Sequence, residues 1–190
     1  MADIISESSR PATLPAVLGS RRLLLRPLRA SDAGPLSLYA GDLRVAQMTT
    51  SIPHPYPPGS AEAFIERQAR PGASEQVWVI DGQPMGAGEL IGTIGFKIAR
   101  REIGYWVGPP FWNTGLASEA LAVLLPVFAE AGLPDVQATV FADNPASAHV
   151  LQKHGFVETG PVELFSVARD AMVSARHFLL DTAGLAAAGE

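Results

Sequence analysis

The chain has 190 residues, 14 Lys and Arg against 19 Asp and Glu, a formal charge of -5, no Cys, and 47% of its residues in the hydrophobic class. That length suits one domain with a single substantial core, and the missing thiols exclude a disulfide framework, a thiolate zinc site, an iron–sulfur cluster and a Cys nucleophile, while remaining compatible with a reducing, cytoplasmic home. Nucleic acid and membrane are not expected partners: Lys97 and Lys153 are the only lysines, and no stretch reaches the roughly 20 apolar residues of a membrane span.

Residues 1–20 mix Ser, Pro and small apolar residues without helical or strand period, so they are expected to form a flexible arm before a domain over 21–182, with 183–190 as a tail. Residues 22–28 read as a first strand closed by Pro27. Ser31 and Asp32 cap a helix over 31–40, and a second helix is predicted over 42–50. Pro53, Pro55, Pro57 and Pro58 make 51–59 a stiff, extended loop, after which Ser60 is the predicted cap of a third helix. Residues 76–80, 90–98 and 102–107 follow as a meander of strands.

The pattern then changes to helix, strand, helix, strand. Leu121, Leu124, Leu125 and Phe128 fall at i, i+3, i+4 and i+7, one apolar helical face, which Gly132 and Pro134 end. A strand over 136–141 leads to Asn144-Pro145, a cap followed by an N1 proline, and Gly155 suits the left-handed position after that helix. Residues 162–168 and 174–180 read as a closing pair of strands.

The stretch from Glu102 to Ala120 carries the chemistry. It runs from a strand through a tight turn into a helix start, where backbone N–H groups lack internal partners and the macrodipole favours phosphate. Gly115 and Ala117 remove side-chain bulk, Asn113 tolerates positive φ, and Thr114 and Ser118 offer hydroxyl donors. An ordinary helix cap is the plain alternative. The glycines at 86, 88, 92 and 95 lie within the meander and read as turn and strand positions, not as a dinucleotide loop.

At these residues the chain resembles the GNAT acyltransferase superfamily, and within it the branch of Rim-type ribosomal-protein N-terminal acetyltransferases. The resemblance covers 21–181 and rests on Leu25-Arg26-Pro27-Leu28 with Ser31-Asp32, on Glu102 to Ala120, and on Val140 to Ser147 with Val150 to Phe156. It implies an α/β (α+β) GNAT fold, with a mixed, mostly antiparallel sheet of about six or seven strands splayed at the cofactor cleft and about four flanking helices. It also implies acetyl-CoA as acyl donor, with no metal. The pyrophosphate would lie on Trp112, Asn113, Thr114, Gly115, Leu116, Ala117 and Ser118. Trp112 stands where the family usually has Gln or Arg, and Asn113 replaces a usual glycine. The pantetheine arm would run between the strands at 102–107 and 136–141, bonded to backbone near Trp106 and Val107, and Asn144 would approach the thioester besides capping its helix. Ser147 resembles the serine that contacts or protonates the sulfur in the Rim-type branch, while Leu151 occupies the place of a tyrosine common elsewhere in the superfamily.

Acetyl transfer needs a neutral amine, and α-amines have a pKa near ~8 against ~10.4 for lysine. Glu102 is the candidate base, sharing a strand face with Gly104 and Trp106, and an ion pair with the neighbouring Arg100 or Arg101 is its alternative role. His54 and Tyr56 on the proline-rich loop are candidates for acceptor binding. The expected activity is direct attack in a ternary complex on acetyl-CoA by a protein N-terminal α-amine or a small amine. A non-catalytic acyl-CoA-binding module and a nucleotide-binding regulator are the competing readings. Oligomeric state stays open, a homodimer among its options.

Overall fold

The computed structural model describes residues 14–183. Eight strands form one sheet in the order β1-β2-β3-β4-β5-β6-β8-β7. These are β1 (Leu18–Gly19), β2 (Leu24–Arg26), β3 (Glu75–Asp81), β4 (Leu90–Lys97), β5 (Glu102–Val107), β6 (Asp135–Phe141), β7 (Val157–Ser166) and β8 (Ala171–Asp181). Every neighbouring pair is antiparallel except β5 and β6. Helices α1 (Ala33–Ala40), α2 (Leu43–Ala46), α3 (Ser60–Gln68), α4 (Leu116–Glu130) and α5 (Pro145–Lys153) complete the fold, one strand and one helix above the expected numbers.

The helices cover both faces of the sheet. On one, α4 and α5 bury Leu121, Leu124, Leu125, Phe128 and Leu151 against Ile94, Phe96, Ile103 and Val107. On the other, Leu36 of α1 and Ala61 of α3 pack on Val79 and Leu90, with Tyr39, Tyr56, Phe64 and Trp106 around them. β4 is buried along nearly its whole length because it lies mid-sheet between these layers. Gly92 allows the close approach of β5, since a Cβ there would strike the Trp106 carbonyl oxygen. Among the described residues, no helix is long and apolar enough to cross a membrane.

A buried ion cluster ties the first strand to the rest. Arg26 reaches Asp81 at 2.6 Å and Asp32 at 2.9 Å, and all three side chains are at most 1% exposed. Hydrogen bonding to Asp32, aided by Asp81, outweighs desolvation and holds the guanidinium above its ordinary pKa.

Several predicted boundaries move, each for a tertiary reason. Residues 14–20, expected as part of the arm, belong to the fold: Leu14 is buried, Trp78 Nε1 donates to Pro15 O at 3.0 Å, and β1 pairs with β2. Residues 1–13 of the expected arm, and 184–190 of the expected tail, lie outside the described residues. The helix predicted over 42–50 is a single turn. Asp42 caps it by accepting from Arg44 N at 2.9 Å, and Arg169 then draws the Gln47 carbonyl outward at 2.8 Å. Gly59 at φ 80, rather than Ser60, caps α3. β7 starts at Val157, through Gly160 and Pro161; it is the sheet's edge, where a missing N–H costs no ladder bond.

Candidate active site

The site is a gap in the sheet. β5 and β6 pair only at Glu102 and Gln137, then diverge. Their closed end is pinned: Gln137 N donates to Arg101 O at 2.9 Å, the Gln137 side chain donates to Arg100 O, and Arg101 holds Asp135 at 2.7 Å. Toward Val107 the gap opens over about 16 Å of strand. Gly108 N bonds Ile91 O at 2.8 Å, which fixes the phase of the β4–β5 ladder. Trp106 and Gly104 therefore turn their peptide groups to β4, and Tyr105 and Val107 turn theirs to the gap. Of the residues expected to offer backbone here, Val107 turns its peptide group to the gap and Trp106 to β4, while Tyr105 also faces the gap. The Val107 carbonyl already accepts from Trp112 Nε1 at 2.6 Å.

At the open end, the turn from Gly108 leads into α4. Asn113 has φ 60 and Gly115, the cap of α4, has φ 80. Among the described residues, no protein acceptor meets the backbone N–H groups of Asn113, Thr114, Gly115, Leu116, Ala117 or Ser118. This row of free amides at a helix N-terminus suits an anion. The hydroxyls expected to help have partners of their own. Thr114 Oγ1 donates to Phe111 O, and Ser118 Oγ lies 2.8 Å from His154 Nε2. Desolvation holds the His154 pKa below its ordinary value, with Lys153 adding to the shift.

A residue outside the predicted set also reaches this loop. Arg22 donates to Thr114 O at 3.0 Å and to Glu119 at 2.6 Å, and a Cβ on Gly115 would meet only its Nη2, at 3.7 Å. Burial opposes ionisation of Glu119, but hydrogen bonds from Ser20 and Arg22 prevail and its pKa falls. The loop thus presents bare amides and a guanidinium around open space, which fits a diphosphate. Trp112 is 41% exposed, with the Arg44 guanidinium 5.6 Å above its ring.

Between the closed end and this cradle, α5 meets β5. Asn144 Oδ1 accepts from Ser147 N at 3.1 Å, a helix cap. Ser147 Oγ donates to the Tyr105 hydroxyl at 3.0 Å, and that hydroxyl donates to Ser147 O at 3.1 Å. Burial pushes the Tyr105 phenol up to about 12. Leu151 is fully buried and leaves no hydroxyl at its position.

Glu102 and Ser147 are not brought together. Glu102, Gly104 and Trp106 share the face toward α1 and α3, whereas Tyr105 faces α4 and α5. Glu102 is paired with Lys97 at 3.0 Å and with Arg100 at 3.9 Å, so the ion-pair alternative is present. A Cβ at Gly104 would meet nothing within 4 Å, which leaves open space beside Glu102. A second carboxylate lies on this face, unforeseen from sequence: Glu75 Oε1 rests 2.5 Å from where a Cβ of Gly95 would stand, and burial raises its pKa against the pull of Lys97 and Arg67. His54 and Tyr56 stand farther out. His54 Nδ1 is 3.1 Å from Gly41 O, Tyr56 packs with Leu36 and Phe64, and desolvation raises the Tyr56 pKa. Neither is hydrogen-bonded to the gap residues among the described residues. The β7–β8 turn closes over this side, with Val167 N donating to Thr50 O at 3.1 Å and Arg169 gripping Asp143 at 2.8 Å.

A sheet parted between two parallel strands, with an amide cradle where the helix after the first of them begins, defines an acetyltransferase architecture. The family model described as "Acetyltransferase (GNAT) domain" matches residues 22–157, and the chain belongs to that family. It is 45% identical over 78 residues to the uncharacterized N-acetyltransferase YoaA of Bacillus subtilis (strain 168), a match spanning 38% of this chain and 44% of that relative. It is 27% identical over 171 residues to the uncharacterized N-acetyltransferase p20 of Bacillus licheniformis, spanning 86% of this chain and 94% of the relative. Among solved structures, Mycobacterium smegmatis RimJ in complex with CoA-disulfide is similar at TM-score 0.72 and 25% identity, covering 92% of this chain and 95% of RimJ.

Proposed function

We propose that this protein is an acetyl-CoA-dependent N-acetyltransferase of the Rim-type branch, which moves an acetyl group to a primary amine, either a peptide N-terminal α-amine or a small amine. The observation that carries this reading is the row of unpartnered amides from Asn113 to Ser118 aligned with the gap between β5 and β6. When bound, acetyl-CoA supplies the activated thioester. The amides, with Arg22 beside Gly115, would hold its diphosphate, and the peptide groups of Tyr105 and Val107 would bond the pantetheine arm. Asn144, by capping α5, keeps Ser147 at the gap, where its hydroxyl would meet the sulfur.

The amine attacks from the other face. Its nitrogen bonds the acyl carbon, the C–S bond breaks, and the electron pair leaves on sulfur. Glu102 accepts the ammonium proton through water in the space beside Gly104. Glu75 lies nearby as a second carboxylate, and Lys97, Arg67 and Arg100 stand beside the pair. The loop bearing His54 and Tyr56 is its proposed entrance.

The test is release of free CoA from acetyl-CoA across a panel of amines and N-terminal peptides. Glu102→Gln is expected to lower kcat by about 10²-fold or more, the scale of general-base catalysis, while leaving CoA binding unchanged. A cofactor-saturated, folded protein that releases no CoA with any acceptor would overturn the enzyme reading in favour of an acyl-CoA-binding module.

A further inference from the structure

Two hydroxyls face each other across the gap, and their hydrogen-bond arithmetic is unusual. Tyr105 has one proton and two acceptors within reach, the Ser147 carbonyl at 3.1 Å and Ser147 Oγ at 3.0 Å. The carbonyl can only accept, so when Tyr105 donates to it the Ser147 proton is committed to the Tyr105 oxygen. In that arrangement Ser147 has no proton to offer elsewhere. Turning the Tyr105 proton to Ser147 Oγ reverses this. The Ser147 carbonyl keeps its α5 backbone partner, so losing the tyrosine leaves no acceptor orphaned. Both arrangements use the same heavy-atom positions.

We propose that Tyr105 is a positioning residue that switches Ser147 from a closed pair to a free hydroxyl donor aimed at the sulfur. The inference rests on the acetyl-CoA reading above. No proton is transferred in it: as the C–S bond breaks, the electron pair stays on sulfur, Tyr105 donates to Ser147 Oγ, and Ser147 donates to the thiolate. The phenol stays protonated at neutral pH because burial holds its pKa near 12. Its ring packs against the α4–α5 core, which fixes where the hydroxyl stands.

The product complex reads this directly, without an amine acceptor. A free thiol ionises near ~8.5, and a donated hydrogen bond to the thiolate lowers that value. CoA binding is measured by calorimetry from neutral to alkaline pH, with thiolate absorbance followed in parallel. A drop of one pH unit in the bound thiol tightens CoA binding about tenfold across that range. Desulfo-CoA, which lacks the sulfur, is expected to show no such gain. Tyr105→Phe should lose part of the gain, because Ser147 then donates without the Tyr105 hydrogen bond that orients and polarises its Oγ, and Ser147→Ala all of it. The double variant should match Ser147→Ala, because the two act as one unit. Unchanged desulfo-CoA affinity in each variant shows the cradle intact. The groups on flanking elements that also titrate or carry charge, namely Asp143, His149, Lys153 and His154 around α5, Glu119 on α4, Lys97 on β4, Glu102 on β5, and Arg176 and His177 on β8, are untouched by these substitutions. A Tyr105→Phe variant that keeps the full gain overturns the switch, as does a wild-type protein that binds CoA and desulfo-CoA with the same pH dependence. Failure of CoA to bind at any pH would instead overturn the acetyl-CoA reading itself.

Discussion

Gly115 is the position where the cradle is most exposed to test. At φ 80 an L-residue with a Cβ is strained by about 1–2 kcal/mol, yet that Cβ would meet nothing nearer than Arg22 Nη2 at 3.7 Å. Gly115→Ala should therefore fold, with a melting temperature lower by about 2–8 °C for a chain of this size. The proposed diphosphate occupies the same open side, so the methyl group meets the ligand as well. CoA affinity should fall by about tenfold or more, which corresponds to about 1.4 kcal/mol or more. Gly115→Asn separates the two effects. Asn adopts positive φ readily and should recover most of the melting temperature, but its side chain keeps the steric loss. Differential scanning calorimetry reads the first quantity and titration calorimetry with CoA the second. If Gly115→Ala lowers the melting temperature while binding CoA as the wild type does, the amides of this loop do not grip the diphosphate.

Three further substitutions address the charges. Arg22→Gln should weaken CoA binding by about twofold to fivefold at low ionic strength, the scale of a partly exposed ion pair, and the deficit should shrink in high salt when the titration is repeated there. Glu75 binds its proton more readily folded than unfolded, so the stability it gives in acid is lost as pH rises through its folded pKa. Glu75→Gln should therefore raise the melting temperature at neutral pH and leave it unchanged below about pH 4. Arg26→Met leaves Asp32 and Asp81 buried without their cation, and urea unfolding should show a loss of about 3–5 kcal/mol.

The fold was legible wherever local physics decided it. The stripe from Leu121 to Phe128 is fully buried, and Gly132 and Gly155 take the left-handed conformations, φ 71 and 84, that their places after two helices required. What escaped was decided by distant chain. β1 is two residues long and exists because β2 offers it an edge. The second helix stops early, and the carbonyl of Gln47 at its end is met by Arg169 from far along the sequence. Pro161 reads as a breaker unless one knows that its strand lies at the sheet's rim.

The same division runs through the site. Small residues at Gly115 and Ala117, with Asn113 before them, marked the cradle because its geometry is local to one turn. Arg22 approaches from another element, and Glu75 owes its place to Gly95 on the neighbouring strand, so neither had a local sign. Tyr105 is the instructive omission. Placing Glu102, Gly104 and Trp106 on one face by the period of two already placed Tyr105 on the opposite face, toward the helix that carries Ser147. The strand that parts from β6 thus offers a carboxylate to one side of the gap and a phenol to the other. An amine arriving over Glu102 and a sulfur departing toward Ser147 would meet different side chains on the two faces of the strand, so the proton acceptor and the thiolate's donor would not compete for one position.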